Sequence, residues 1–174
     1  MDTTAVELNP QVVAACRAQF RLPADDDRLR VVLADAGRWV ERDAPPAAVR
    51  LLHVDLYDAD AAAPVIDDDA FYAACRRMLE DGGVMAVNLF GRHASYARSA
   101  ARIAGAFGAD QVWQLRPTRE GNTVVVAACG VAVPGREVLM ARAQALEARF
   151  ARHGLPALKW LRMVRPWTES AGKP

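Results

Sequence analysis

Residues 3–20, TTAVELNPQVVAACRAQF, decide the fold. TTAVEL reads as a short buried strand, and Asn9-Pro10 then opens a helix. An asparagine at that point accepts from first-turn N–H groups that have no partner within the helix, and a proline at the first helical position lacks the N–H that would go unpaired. The spacing places Val12, Val13, Cys16 and Phe20 on one inward face of a helix ending near Phe20. A strand running straight into a capped helix is the unit from which parallel sheets are built.

The same pattern recurs downstream. After the polar loop 23–29, RVVLA (30–34) reads as a strand, Asp35 opens a short helix through Val40, and DAPPAA (43–48) breaks it. VRLLHV (49–54) is a third strand, ending at Asp55 in the loop LYDADAAAP. A helix follows from Asp67 to Leu79, with Asp67, Asp68 and Asp69 at the end where the macrodipole favours acids. Asp81-Gly82-Gly83 then ends it and leads into the strand VMAVNLF (84–90). Ser95–Phe107 reads as a helix with Ile103 and Phe107 inward. Gln111–Arg116 and Thr123–Cys129 read as strands joined by the hairpin-like PTREGN. A last helix spans Arg136–His153, with Leu139, Ala143, Leu146 and Phe150 on one stripe and Gly154 as its stop. Four strand–helix alternations before a hairpin predict a doubly wound α/β sheet, mostly parallel with an antiparallel edge. Residues 1–154 are expected to form one domain. Residues 155–174 are expected to form a tail packed through Leu158, Trp160 and Trp167.

Composition sets the outer limits. The chain has 174 residues, 52% hydrophobic and 25% charged, the mix of a globular protein. No apolar run approaches the roughly 20 residues that cross a bilayer, so no membrane partner is expected. The start, MDTTAVELNP, has neither a basic segment nor an apolar run of the signal-peptide kind. Cys16, Cys75 and Cys129 stand far apart, which fits a reduced cytoplasmic compartment with each thiol a small buried hydrophobe. His53 and His93 have no partner at ligand spacing, and no metal is expected. Ser95 and Ser99 lack a nucleophile-elbow context. The net charge of +1 hides an uneven distribution: residues 1–87 hold 16 acids and 9 bases, residues 88–174 hold 5 and 13. With 20 Arg against 2 Lys and 35 Ala, the basic half reads as compositional bias, and no nucleic-acid partner is expected. The acidic half would draw a cationic ligand, unless its acids are simply solvated loops.

In sheets of this kind ligands bind at the carboxyl ends of strands, and Glu7, Asp35 and Asp55 each close one. Such an acid can accept from both hydroxyls of a ribose, or it can cap the next helix. Asp58 follows three residues after Asp55. A carboxylate pair can take a proton or hold an ammonium group, and it can also be a capping loop.

VELNPQVVAACRAQF, DDDRLRVVLADAGRWV and VDLYDADAAAPVIDDDAFYAACRRMLEDGGVMAVNLF together resemble the polyamine aminopropyltransferases, the spermidine synthase family. More narrowly they are similar to its bacterial spermidine synthase-like branch, over about residues 3–130. The resemblance implies a Rossmann-like sheet of the class I S-adenosylmethionine-dependent methyltransferase type, ordered 3-2-1-4-5-7-6. It implies decarboxylated S-adenosylmethionine as co-substrate and transfer of its aminopropyl group to a diamine such as putrescine. Carried over, Glu7 holds the ribose hydroxyls and Asp35, with Ala36 beside it, contacts the adenine amino group. Asp55 deprotonates the attacking amine, and Asp58, with Tyr57 in the same loop, holds the diamine. The loop reads Asp-Leu-Tyr-Asp where the family has Asp-Ser-Ser-Asp, and the first glycine of the chain is Gly37, well after the place of the family's glycine-rich loop.

Two other readings share these residues. A class I methyltransferase using S-adenosylmethionine on a small molecule would use Glu7 and Asp35 without needing both Asp55 and Asp58. A non-catalytic α/β remnant binding a partner protein needs none of them. The implied strand order also starts this chain at its second strand. The expectation is therefore either a longer natural chain, or closure of the gap by sheet collapse or by a strand from another copy, as a homodimer. In either case the 174 residues alone are expected to bind adenosyl donors poorly.

Overall fold

A computed structural model of the chain describes residues 2–56, 67–90, 94–118 and 121–168. Two compact units emerge, Met1–Pro45 and Pro46–Pro174.

The first unit holds β1 (Thr3–Glu7), α1 (Pro10–Gln19), β2 (Leu29–Leu33) and the short α2 (Ala36–Arg38), which runs on into a π-helical turn, Trp39–Asp43. β1 and β2 pair in parallel, from Thr3 opposite Leu29 to Glu7 opposite Leu33. Asn9 caps α1 as expected, its Oδ1 accepting from the Gln11 N–H at 2.9 Å. The inward face of α1 is narrower than its apolar spacing implies. Val13 and Cys16 are half-buried, whereas Val12 is 43% and Phe20 78% exposed. Two strands about 4.8 Å apart make a floor about half as wide as a 10 Å helix, so they cannot cover a whole helical face. The loop before β2 is fastened by its acids. Asp26 Oδ1 accepts from the N–H groups of Arg28 and Leu29, both at 2.8 Å. Asp25 accepts from the Val31 N–H at 3.0 Å and pairs with Arg17 at 2.8 Å.

The second unit is a five-stranded sheet ordered β3-β4-β6-β5-β7, formed by Val49–Val54, Leu79–Phe90, Asn122–Ala128, Val112–Leu115 and Val164–Pro166 respectively. β3 and β4 are parallel; the β4–β6, β5–β6 and β5–β7 pairs are antiparallel. The chain is thus mixed α/β with parallel β1–β2 and β3–β4 pairs and an antiparallel edge. That edge is one strand wider than expected because residues 157–166, inside the anticipated tail, form α6 (Ala157–Met163) and β7.

The core lies on one face of this sheet. Met85, Val87 and Leu89 of β4 stand opposite Ala127, Val125 and Thr123 of β6, and all six are at most 2% exposed. Against them pack α3 (Asp69–Met78), through Phe71, Tyr72, Cys75 and Met78, and α4 (Ala94–Phe107), through Ala100, Ile103 and Phe107. Asp68 rather than Asp67 caps α3, its Oδ1 accepting from the Phe71 N–H at 2.6 Å. Asp67 instead pairs with Arg102 of α4 at 2.7 Å, which ties the two helices together. α3 stops at Met78, and Asp81-Gly82-Gly83 lies inside β4 as a bulge between the Val49–Leu79 and Leu51–Val84 pairs.

α5 (Arg136–Arg149) ends four residues before the expected His153. A 3-10 turn, Ala151–His153, and Gly154 in the left-handed region (φ +63°) complete the stop. Of its predicted stripe Ala143 is buried, Leu139 and Phe150 are half-buried, and Leu146 is 43% exposed. α5 packs mainly against α6, a seven-residue helix too short to cover all of that stripe. Trp160 of α6, expected to pack, is 46% exposed, while Leu158 and Trp167 are half-buried. Among the described residues no helix is long and apolar enough to cross a membrane.

Candidate functional site

Glu7 and Asp35 are brought together by the β1–β2 register. Glu7 is the last residue of β1, its carbonyl accepts from the Ala34 N–H at 3.1 Å, and Asp35 is the next residue. Each carboxylate engages its own local backbone through one oxygen. Glu7 Oε1 accepts from the Asn9 N–H at 2.8 Å, and Asp35 Oδ1 caps α2 by accepting from the Arg38 N–H at 2.9 Å. The capping role raised from sequence is therefore real for Asp35, while Glu7 braces the turn that leads into α1, whose cap is Asn9. These bonds leave Glu7 Oε2 and Asp35 Oδ2 without a protein partner among the described residues. Both side chains and Ala36 are half-buried. Two half-buried acids on adjacent strand ends, each with an oxygen to spare, suit the hydroxyl and amino donors of a nucleoside. The residues present thus fit the nucleoside half of an adenosyl donor.

Asp55 directly follows β3 in the second unit, at its carboxyl end. It is exposed, and its Oδ1 accepts from the Asn88 Nδ2 amide at 3.1 Å. Asn88 sits on β4 opposite Val124 of β6, one residue beyond the Val54–Val87 pair, which is why its side chain reaches Asp55. The pairing was not read from the sequence: VMAVNLF carries a single polar residue in an apolar strand, and that was the available signal. Tyr57 and Asp58 lie outside the described residues, as does His93. Among the described residues no group of three or more His, Cys, Asp or Glu is placed to hold a metal ion.

The buried titratable groups near α3 do not join these acids. Cys75 is fully buried, and desolvation pushes its thiol up to about 12. Burial first, and then the negative charge of Asp67, raises the Tyr72 phenol as well. Both are neutral at ordinary pH and belong to the core.

The fold is that of the class I methyltransferases, the Rossmann-like architecture that spermidine synthases share. Human methyltransferase-like protein 13, solved in complex with SAH, superposes with a TM-score of 0.72 at 20% identity, over 96% of this chain and 74% of that one. A probable spermidine synthase from Corynebacterium glutamicum superposes with a TM-score of 0.64 at 21% identity, over 97% and 58%.

Sequence similarity is more specific. The chain is 30% identical over 151 residues to the polyamine aminopropyltransferase of Chromobacterium violaceum, covering 85% of this chain and 56% of the relative. It spans about half the length of the curated relatives it matches. No family model matches. The resemblance to polyamine aminopropyltransferases thus holds in sequence as well as in fold.

Proposed function

We propose that the chain is the Rossmann-like part of a spermidine synthase-like transferase, moving an aminopropyl group from decarboxylated S-adenosylmethionine to a diamine such as putrescine. The observation that carries this reading is Asp55 at the carboxyl end of β3, exposed, with Oδ1 held by Asn88 and Oδ2 without a partner among the described residues. An ammonium group cannot attack carbon until it loses a proton, and a held, solvent-facing carboxylate can take it. The amine nitrogen then forms a bond to the carbon next to the donor's sulfonium. The C–S bond breaks with its electron pair going to sulfur, and the proton rests on Asp55. Glu7 and Asp35, with Ala36, hold the nucleoside of the donor through the carboxylate oxygens that their local backbone bonds leave over. Asp58 and Tyr57 hold the amine.

The donor used in turnover tests the assignment. The chain is incubated separately with decarboxylated S-adenosylmethionine and with S-adenosylmethionine, each with a diamine panel, and products are read by mass spectrometry. Methylthioadenosine with an aminopropylated amine is the expected outcome. A methylated product with S-adenosylhomocysteine in place of an aminopropylated one overturns it.

A further inference from the structure

On the core face of the sheet, at the end where α4 begins, two arginines converge on one cavity of about 260 Å³. Its lining includes Tyr96, Gln114, Arg116, Thr123 and Arg165. The register explains why they share a face. Gln114 of β5 stands opposite Arg165 of β7 and Val125 of β6. Arg116, two residues along from Gln114, continues the ladder through its N–H to the Met163 carbonyl at 3.1 Å. Thr123, two residues before Val125, falls on that same side. Arg116 and Arg165 are thus diagonal neighbours, with backbones about 7–8 Å apart.

Among the described residues nothing in the cavity balances them: no acid lines it, and neither guanidinium group has a salt bridge or hydrogen bond. Tyr96 donates its hydroxyl to Gln114 Oε1, which uses the acceptor of that amide and leaves its NH₂ as a donor. Thr123 is 2% exposed, and its Oγ1 is buried without a hydrogen-bond partner among the described residues. An orphaned buried hydroxyl is unfavourable alone, and two like-charged guanidinium groups on one wall repel each other weakly. One oxyanion meets all three, because each guanidinium presents a planar fork of N–H donors matched to carboxylate or phosphate.

We infer that this cavity is a binding site for a small anion, a phosphate or carboxylate group, gripped by Arg116 and Arg165 with Gln114 and Thr123 completing the donors. The site differs in place and in sign from the proposed amine site. Asp55 and Asn88 lie on the opposite side of the strand alternation from Val54, Val87 and Leu89, and about three strand spacings, roughly 15 Å, separate β3 from β5. The volume suits one anionic group with a small body, not a whole nucleoside donor.

Thermal unfolding of the full chain is followed in increasing inorganic phosphate, in increasing succinate, and in sodium chloride at matched ionic strength. Arg116→Gln, Arg165→Gln and the conservative Arg116→Lys are run alongside. Both arginines are exposed, so the variants should unfold near the parent temperature without ligand. A saturable rise in phosphate, with affinity reduced at least tenfold in each glutamine variant and less in the lysine variant, supports the site and gives phosphate as its ligand group. The same pattern in succinate alone supports it with carboxylate as the group. No saturable rise beyond the chloride control, or an equal rise in the glutamine variants, overturns it. Neither result depends on aminopropyl transfer, so this inference and the proposed function fail separately.

Discussion

At the scale of single residues, aspartate and asparagine have nearly the same shape, so Asp55→Asn removes little except the ability to take a proton. Turnover is expected to fall roughly 10²-fold or more with donor affinity unchanged, because the loss falls on the transition state alone. Steady-state kinetics beside donor calorimetry check this, and parental turnover would remove Asp55 from the chemistry. Glu7→Gln should do the reverse. Its Oε1 bond to the Asn9 N–H can persist in the amide, but charge-assisted bonds to a ribose are lost, at about 1.5–3 kcal/mol of donor binding. Equal donor affinity in calorimetry would leave Glu7 only its bond to the turn before α1. The other acids of the N-terminal half are differently occupied. Asp25 and Asp26 fasten the loop before β2, Asp67 pairs with Arg102 and Asp68 caps α3. Much of the −7 charge of residues 1–87 is therefore structural.

At the scale of elements, Gly83 shows what a sequence does and does not disclose. Asp81-Gly82-Gly83 was readable as a helix stop, since two glycines disfavour helix. Its place inside β4 was not, because a bulge is defined by the partner strand, and β3 lies some thirty residues earlier in the chain. A Cβ on Gly83 would stand 2.8 Å from the Glu80 carbonyl oxygen and 3.0 Å from that of Val49, both backbone atoms that cannot swing away. Gly83→Ala is therefore expected to cost about 1–3 kcal/mol in denaturant unfolding. A midpoint unchanged from the parent would show that the bulge relaxes freely.

The same contrast of local and distant signals runs through the chain. The Asn9 cap, the Asp35 cap, the β5–β6 hairpin and the inward Ile103 and Phe107 were legible because each rests on neighbours in sequence. The tail's β7 was not, since its strand character comes from pairing with β5, and Val164-Arg165-Pro166 has little of its own. Among the proposed site residues, Glu7, Asp35 and Asp55 could be read from strand ends. Asn88, Arg116, Thr123 and Arg165 could not, because only register brings them to their partners.

At the scale of the whole molecule, the two units have very unequal cores. Val40, still 6% exposed, is the only buried side chain in Met1–Pro45 among the described residues, whereas the second unit buries Phe71, Tyr72, Met85, Leu89 and Ile103 to 1% or less. Native-state hydrogen exchange should accordingly show β1 and β2 opening at lower free energy than β4 and β6. Equal protection in both units would contradict that ordering.

The pH dependence of stability belongs to the second core. Cys75 and Tyr72 are held in their neutral forms by burial, the thiol up to about 12 from an ordinary value of 9.0 and the phenol well above its ordinary 10.0. Between pH 9 and 12 the unfolded chain has lost the thiol proton that the folded chain keeps. The unfolded state then binds fewer protons, so stability falls as pH rises. Stability from this source is complete below pH 9 and declines by about 1.4 kcal/mol per pH unit above it, with Tyr72 adding to the slope beyond pH 10. Denaturant midpoints at pH 8, 9 and 10, for the parent and for Cys75→Ala, isolate the thiol. The alanine variant starts lower because it opens a small cavity, but its midpoint should decline more gently between pH 9 and 10. Parallel declines would mean that the Cys75 thiol ionises as easily in the folded core as in the unfolded chain.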